Sequence, residues 1–143
     1  PKVNFKQAQG EIYAVTDAIE KEIVTAAHDI SEGGLAVTLA EMSFGGWGEG
    51  RFGIDVDVEK VPQKGLRTDK KLFSESGGFV VEVPVKNQKK FEAICKKNGI
   101  TPYQIGQTTK KSHIVFRNKD KLLADIKVEK AAETWLNGLR NKL

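Results

Sequence analysis

The feature that most constrains the fold is a strand-to-helix junction in the first third of the sequence. Residues 22–27 form an apolar run whose composition is typical of a β-strand. A glycine pair, Gly33 and Gly34, follows, and then a stripe of apolar residues at helical spacing, Leu35, Leu39 and Met42. This pattern predicts a strand, a tight turn and a helix, in that order.

The turn of this junction has two interpretations. Ser31 or Asp29 is predicted to cap the helix by accepting a backbone N–H bond. Because Gly33 and Gly34 have no Cβ, a ligand can approach the backbone there, and the helix dipole favours an anion such as phosphate. The alternative is a capped crossover turn in which the glycines serve only the backbone angles.

A second polar loop, Ser74-Glu-Ser-Gly-Gly78, precedes a predicted strand over 79–83. Its hydroxyls and backbone N–H groups suit phosphate, and the alternative is a polar entry into the strand. Glu75 could also hold a magnesium ion together with Asp29 and Glu32. We favour the interpretation in which Asp29 caps the helix and Glu32 is solvated. No nucleophile–base pair, P-loop or dinucleotide motif occurs, so no catalytic residue and no metal ligand is assigned.

Two motifs resemble those of the C-terminal domain in the aminoimidazole ribonucleotide synthetase superfamily. The first is His28-Asp-Ile-Ser-Glu-Gly-Gly-Leu-Ala36, with Leu39-Ala-Glu-Met42 after it. The second is Leu72-Phe-Ser-Glu-Ser-Gly-Gly-Phe-Val-Val-Glu-Val83, and weaker echoes are Ile105-Gly106 and Trp135-Leu-Asn-Gly-Leu139. Within the superfamily, the ordered set resembles the last domain of the formylglycinamidine ribonucleotide synthetases.

The resemblance implies a cytoplasmic, ATP-dependent ligase of de novo purine biosynthesis. Such enzymes convert formylglycinamide ribonucleotide to formylglycinamidine ribonucleotide, with ammonia from a glutaminase subunit and with a small accessory subunit in the complex. The resemblance implies ATP and magnesium as cofactors of the full-length enzyme. The catalytic histidine, the magnesium ligands and most ATP contacts are expected outside this domain, which would therefore be inactive alone.

The resemblance implies that, in the internal counterpart of this domain within the full-length enzyme, the loop that matches the second loop helps to bind substrate phosphate. The expected phosphate- or nucleotide-binding residues of the two loops are Asp29, Ser31, Gly33, Gly34, Ser74, Glu75, Ser76 and Gly77. The polar and basic residues that follow in the counterpart's loop are replaced here by Gly77, Gly78 and Phe79, which favours a structural or auxiliary-nucleotide role.

The resemblance leaves other identities open. Alternatives within the superfamily are aminoimidazole ribonucleotide synthetase, selenophosphate synthetase, the hydrogenase-maturation protein and thiamine monophosphate kinase. An alternative of another class is a non-catalytic interaction module. The glycine-rich segment 44–50 carries aromatic residues without an obvious local partner, so we expect a surface that other domains cover or a homo-oligomer.

Periodicity predicts the remaining elements. Helices are expected over 5–20, 68–73 and 87–98 and from 128 to the end, with strands over 52–58, 103–107, 112–116 and 122–128. The first helix carries an apolar stripe at Ile12, Val15 and Ile19. The stripe of the last helix is expected to face the core and consists of Val128, Ala131, Ala132, Trp135, Leu139 and Leu143. Thr68 and Asn87 are expected as caps, and Gly99 as a helix stop.

Helices alternating with strands that lack long apolar runs predict the α/β class, with a mixed sheet flanked by helices. The resemblance implies a layered arrangement with partial ferredoxin-like topology. The length of 143 residues and the absence of a linker or repeat predict a single domain over 1–143.

Composition excludes several function classes. The net charge is +4, but the lysines form scattered pairs such as Lys70-Lys71 without interleaved aromatics, so we expect solvated faces and no nucleic-acid surface. No apolar run approaches a membrane span of about 20 residues, and the sequence begins at Pro1 without a visible signal peptide. The single cysteine, Cys95, is expected in the core and not as a nucleophile, and two histidines are too few for a zinc site.

Overall fold

The computed structural model describes residues 3–44, 52–62 and 65–138. The helices are α1 (Phe5–Glu20), α2 (Gly34–Phe44), α3 (Thr68–Phe73), α4 (Gln88–Lys97) and α5 (Val128–Asn137). The strands are β1 (Ala26–Asp29), β2 (Gly53–Asp57), β3 (Phe79–Glu82), β4 (Gly106–Thr109), β5 (His113–Asn118) and β6 (Lys121–Lys127). Short 3₁₀ turns occupy Val58–Lys60 and Val85–Asn87. The chain divides into two compact units.

The first unit comprises Pro1–Gly34 and Glu75–Pro102. It contains α1, β1, β3 and α4. The strands β1 and β3 form a two-stranded antiparallel sheet in which Ala26 pairs with Glu82 and Asp29 with Phe79. Because two strands alone are marginally stable in water, this sheet depends on the helices of its unit for burial.

Helix α1 packs on α4 through its smallest residues. Gly10, Ala14 and Ala18 form its buried face, and Ile94 and Cys95 of α4 belong to the same apolar cluster. A Cβ at Gly10 would lie 2.6 Å from the carbonyl oxygen of Asn98. The predicted core position of Cys95 is confirmed, and burial raises the pKa of its thiol.

The predicted apolar stripe of α1 does not face this core. Ile12 is 49% exposed and Ile19 is 51% exposed. The close approach of α4 selects small residues for the buried face of α1, and Val15 of the stripe is half-buried.

Helix α4 ends as predicted. Gly99 has φ +73°, and its N–H donates to Lys96 O at 3.1 Å while the N–H of Ile100 donates to Cys95 O at 2.8 Å. These two bonds are those of a Schellman motif, which needs a left-handed residue at that position. At the other end of α4, Asn87 occupies the predicted N-cap position. The predicted capping bond is wrong, because the Nδ2 of Asn87 donates to Ile23 O at 3.0 Å and no side-chain cap bond forms.

The second unit comprises Leu35–Ser74 and Tyr103–Leu143. Its four-stranded sheet has the order β4-β2-β5-β6. The pair β2–β5 is parallel, and the pairs β2–β4 and β5–β6 are antiparallel. The predicted mixed sheet and α/β class are confirmed, although the strands divide between two sheets. Fully buried side chains of this unit include Ile114, Val56, Val58, Val128 and Thr38, and the larger ring of Phe116 is also buried.

A buried lysine side chain donates hydrogen bonds to the carbonyl groups of the segment after β2. Lys71 is only 8% exposed, and its ammonium donates to the carbonyl oxygens of Val58 at 3.3 Å and Val61 at 3.2 Å. The expectation that the Lys70-Lys71 pair lies on a solvated face is wrong for Lys71, because α3 directs this side chain at carbonyls that end a 3₁₀ turn.

Several boundaries differ from the predictions. The first strand was expected over 22–27 but begins at Ala26, because Glu22 adopts a left-handed φ of +53°. The strand expected over 103–107 begins at Gly106. Thr68 is the first residue of α3 and not its cap, and its hydroxyl accepts a hydrogen bond from Asn118 at 3.3 Å.

Helix α5 begins at Val128 as predicted, with Val128 and Ala132 buried. Trp135 is exposed, against the predicted core stripe, and its indole N–H donates to Glu41 at 2.9 Å. Because the indole N–H needs a partner, that bond holds the ring at the surface. The predictions for segment 45–50 and for Leu139 and Leu143 fall on residues outside the described ones.

Candidate functional site

The two predicted loops meet at one end of the β1–β3 sheet. Asp29, the last residue of β1, pairs with Phe79, the first residue of β3. One step further out, the N–H of Ile30 donates to Gly78 O at 2.9 Å. The antiparallel pairing therefore places the turn after β1 beside the loop before β3.

The two loops are joined by a carboxylate. The N–H of Gly33 donates to Oε1 of Glu75 at 2.9 Å, in an exposed position. A hydrogen bond from a backbone N–H to an ionised carboxylate is stronger than one between neutral groups. The Glu75 carboxylate therefore occupies the N–H donor of Gly33, to which an external anion would otherwise bind.

The glycines of both loops adopt left-handed backbone conformations. The φ angles are +79° at Gly33, +66° at Gly34, +81° at Gly77 and +107° at Gly78. A residue with a Cβ adopts this region only at a cost, so the two glycine pairs allow both loops to turn sharply at the sheet end.

The predicted helix cap is wrong. Because α2 begins at Gly34, the N-cap position falls on Gly33, and not on Ser31 or Asp29. Asp29 belongs to β1, and Ser31 contributes its carbonyl oxygen, which accepts the N–H of Gly34 at 3.0 Å. A glycine has no side chain to accept the N–H groups at this point, and the distant Glu75 accepts one of them.

The carboxylates of this region do not fit a magnesium site. Asp29 lies beside its neighbour His28, with Nδ1 and Oδ1 3.4 Å apart, and Glu75 is bound to Gly33. Over residues 3–44, 52–62 and 65–138, no three His, Cys, Asp or Glu side chains form a group that could hold a metal ion. We derive no step through magnesium on this chain.

Among the eight residues predicted to bind phosphate, the N–H of Gly33 donates to Glu75 and the N–H of Gly34 donates to Ser31 O. Seven belong to the first unit, whereas Ser74 belongs to the second, where its N–H donates to Lys70 O at 3.1 Å at the end of α3. Phosphate binding by this set stays a prediction.

Two features of the site were not predicted from the sequence. The Gly33–Glu75 bond was missed, although an acidic residue between two serines is a visible signal for a group that accepts backbone N–H bonds. The second unit also has an open surface depression of about 350 Å³, lined by Leu66, Asp69, Lys70, Phe73 and Ser74. Arg67 fixes the Asp69 carboxylate there through two hydrogen bonds of 3.1 and 2.8 Å.

The sequence of residues 1–119 matches the family model described as "AIR synthase related protein, C-terminal domain". Two relatives are described as phosphoribosylformylglycinamidine synthase subunit PurL. The protein of Methanothrix thermoacetophila is 38% identical over all 143 residues, and that of Thermococcus sibiricus is 35% identical over 135 residues, or 92% of this chain. This chain spans 18% of the length of each.

The fold is similar to that of PurL from Thermotoga maritima. The match with the structure of that protein complexed with FGAR has a TM-score of 0.74 at 20% identity, covering 87% of this chain and 20% of the other. The same protein has been solved complexed with ATP and in an assembly described as PurLQS. In the residues that the structure describes here, no helix is long and apolar enough to cross a membrane.

Proposed function

The chain belongs to the family of AIR synthase related proteins, as their C-terminal domain, and from that membership we propose that it serves in a phosphoribosylformylglycinamidine synthase. The observation that carries the proposal is the 38% identity over all 143 residues to a subunit of that enzyme. The reaction is the ATP-dependent conversion of formylglycinamide ribonucleotide to formylglycinamidine ribonucleotide, a step of purine biosynthesis.

Within that enzyme, the chain's task is to complete the fold around a catalytic centre carried elsewhere. Its described residues include no cluster suited to a metal ion. We assign ATP and magnesium to the other domains and propose that this chain has no synthetase activity alone. The Thermotoga maritima PurL complexed with ATP supports nucleotide use by the whole enzyme.

The partners follow from the same membership. We assign the chain to a cytoplasmic complex that contains the remaining synthetase domains, a glutaminase subunit that supplies ammonia and a small accessory subunit. The assembly described as PurLQS for the Thermotoga maritima protein supports a complex of this kind. That residues 1–143 form a single domain of it stays a prediction.

The two loops at the end of the β1–β3 sheet are the proposed phosphate or nucleotide contact of this domain. The proposed contacts are the backbone N–H groups of Gly33, Gly34, Ser76 and Gly77. Gly33 already donates to Glu75 and Gly34 to Ser31 O, and both bonds compete with an anion. We therefore expect at most weak phosphate binding by the chain alone. A strong site requires Glu75 to leave Gly33 when companion domains close over the loops.

A growth experiment tests the proposed function. The matched segment of the Methanothrix thermoacetophila subunit is replaced by this chain, and the chimera is expressed in a purine auxotroph that lacks its own synthase but receives the partner subunits. We expect growth without added purine. The control is the same subunit with the segment deleted, and a folded chimera that supports no more growth than the deletion would refute the proposal.

A further inference from the structure

Helix α1 has two apolar faces, and only one of them belongs to the apolar core cluster of the first unit. The packed face consists of Gly10, Ala14 and Ala18, which lie buried. The other face, called the outer stripe from here on, is a row of five apolar side chains: Phe5, Ala8, Ile12, Val15 and Ile19. Phe5 is 83% exposed, and Ile12 and Ile19 are each about half exposed. Ala8 and Val15 are half-buried, and none of the five residues belongs to the apolar core cluster of the unit.

The spacing of the outer stripe is that of a helix–helix seam. Its members follow one another at intervals of three, four, three and four residues, which are the a and d positions of a heptad repeat. A stripe confined to these positions is narrower than the face by which a helix covers a sheet, and it fits one partner helix. The exposed ring of Tyr13 flanks the row.

The charges of α1 argue against two other kinds of ligand. The helix contains one basic residue, Lys6, against three acidic ones, Glu11, Asp17 and Glu20. A nucleic-acid surface or an anionic membrane would need lysine or arginine along the row. The outer stripe instead suits an uncharged apolar face of another protein segment.

The family relationship indicates which part of the enzyme contains the segment that covers the outer stripe. The family model describes a C-terminal domain, so its members place this fold beside other domains. The Methanothrix thermoacetophila subunit matches this chain over all 143 residues, yet the match accounts for 18% of that subunit. We propose that the outer stripe docks onto an apolar helix from the remaining domains of the synthetase, an inference that rests on the proposed function.

The first test uses the 143-residue chain itself. The double variant Ile12→Glu, Ile19→Glu is compared with Val85→Glu, which charges an apolar residue that is 89% exposed in the same unit but lies off the stripe. We expect both variants to melt within about 3 °C of the parent, because none of these side chains belongs to the unit's core. A large loss of melting temperature in the stripe variant alone would overturn the proposal, since the row would then be packed internally.

The second test uses the chimera of the Methanothrix thermoacetophila subunit. Hydroxyl-radical labelling of Phe5 and Tyr13 is measured in the chain alone and in the chimera. We expect labelling to fall several-fold in the chimera, and the Ile12→Glu, Ile19→Glu substitutions to restore it while Val85→Glu does not. Equal labelling in both settings would overturn the docking, as would a stable dimer of the chain that persists in the chimera through the same row.

The two proposals fail in different ways. A folded chimera without synthetase activity counts against the proposed function, whereas protection of Phe5 and Tyr13 in that chimera still supports the docking. An active chimera in which both rings stay as reactive as in the chain alone refutes the docking and leaves the proposed function standing.

Discussion

The carboxylate of Glu75 accepts the N–H of Gly33 across 2.9 Å, and this bond joins the two loops that the sequence predicts to bind phosphate. The bond spans 42 positions of sequence and closes the end of the β1–β3 sheet. Its consequence is electrostatic, because a carboxylate beside the glycine N–H groups repels the phosphate that those groups would otherwise attract.

The Glu75→Gln variant tests that consequence. We expect phosphate or ADP to shift the amide signals of Gly33, Gly34, Ser76 and Gly77 only at millimolar concentration in the parent, and more strongly in the variant, because the repelling charge is gone. Amide-shift titrations measure this. Glu92→Gln, on α4 of the same unit, is the control for the change in net charge. If the four amides stay still in every protein while others move, the loops are structural turns.

A substitution at Gly10 tests the close packing of α1 on α4. Helix propensity alone would make Gly10→Ala stabilising by about 1 kcal/mol. The added Cβ, however, would lie 2.6 Å from Asn98 O and 3.0 Å from Ile100 Cδ1. We expect the clash to dominate, with a net loss of about 1–3 kcal/mol in the free energy of unfolding. Urea unfolding measures it, and Gln9→Ala, at an exposed position of the same helix, should change little. A more stable Gly10→Ala protein would contradict this packing.

The buried ammonium of Lys71 gives a second stability prediction. Lys71→Met keeps the apolar stem but leaves the carbonyl groups of Val58 and Val61 without their donor. We expect a loss of about 1–3 kcal/mol in the free energy of unfolding, the cost of an unsatisfied buried polar group. Lys70→Met, at the exposed neighbour, is the matched control. Equal stability of the two variants would show that these bonds contribute nothing.

Asp17 links the stability of the first unit to pH. A hydrogen bond from Lys97 is the main cause that lowers the pKa of this carboxyl group, with a second bond from Asn98. Because the folded pKa lies below the unfolded one, the contribution is present above the unfolded value and is lost as the pH falls through the folded value.

The Asp17→Asn variant should therefore be less stable than the parent at neutral pH, with the difference shrinking in acid. Unfolding free energies measured from neutral pH down to about pH 2 test this. The control Asp120→Asn changes an exposed turn position of the second unit. A difference that is the same at every pH would contradict the assigned role of the Asp17 charge.

How far the sequence predicts this fold depends on the kind of signal. Local signals succeeded: Gly99 ends α4 because a left-handed residue is needed there, and the alternation in residues 52–58 places β2 within one residue at each end. The order of the motifs along the sequence was enough to assign the chain to its superfamily, because that assignment does not depend on which residues are in contact.

Signals that depend on distant parts of the chain failed. Nothing local shows that α4 lies against Gly10, and the stripe of Ile12 and Ile19 does not show which face of α1 is buried. The burial of Lys71 and the bond from Gly33 to Glu75 likewise depend on partners at least ten residues away. Propensity and periodicity carry no information about such partners.

The central claim is that this chain completes a formylglycinamidine ribonucleotide synthetase without supplying its catalytic groups. The most direct measurement is the formation of product from ATP, formylglycinamide ribonucleotide and ammonia by three purified proteins: this chain alone, the chimeric subunit and the subunit with the segment deleted. We predict turnover by the chimera and none by the other two. Turnover by the chain alone, or a folded chimera no more active than the deletion, would contradict the account.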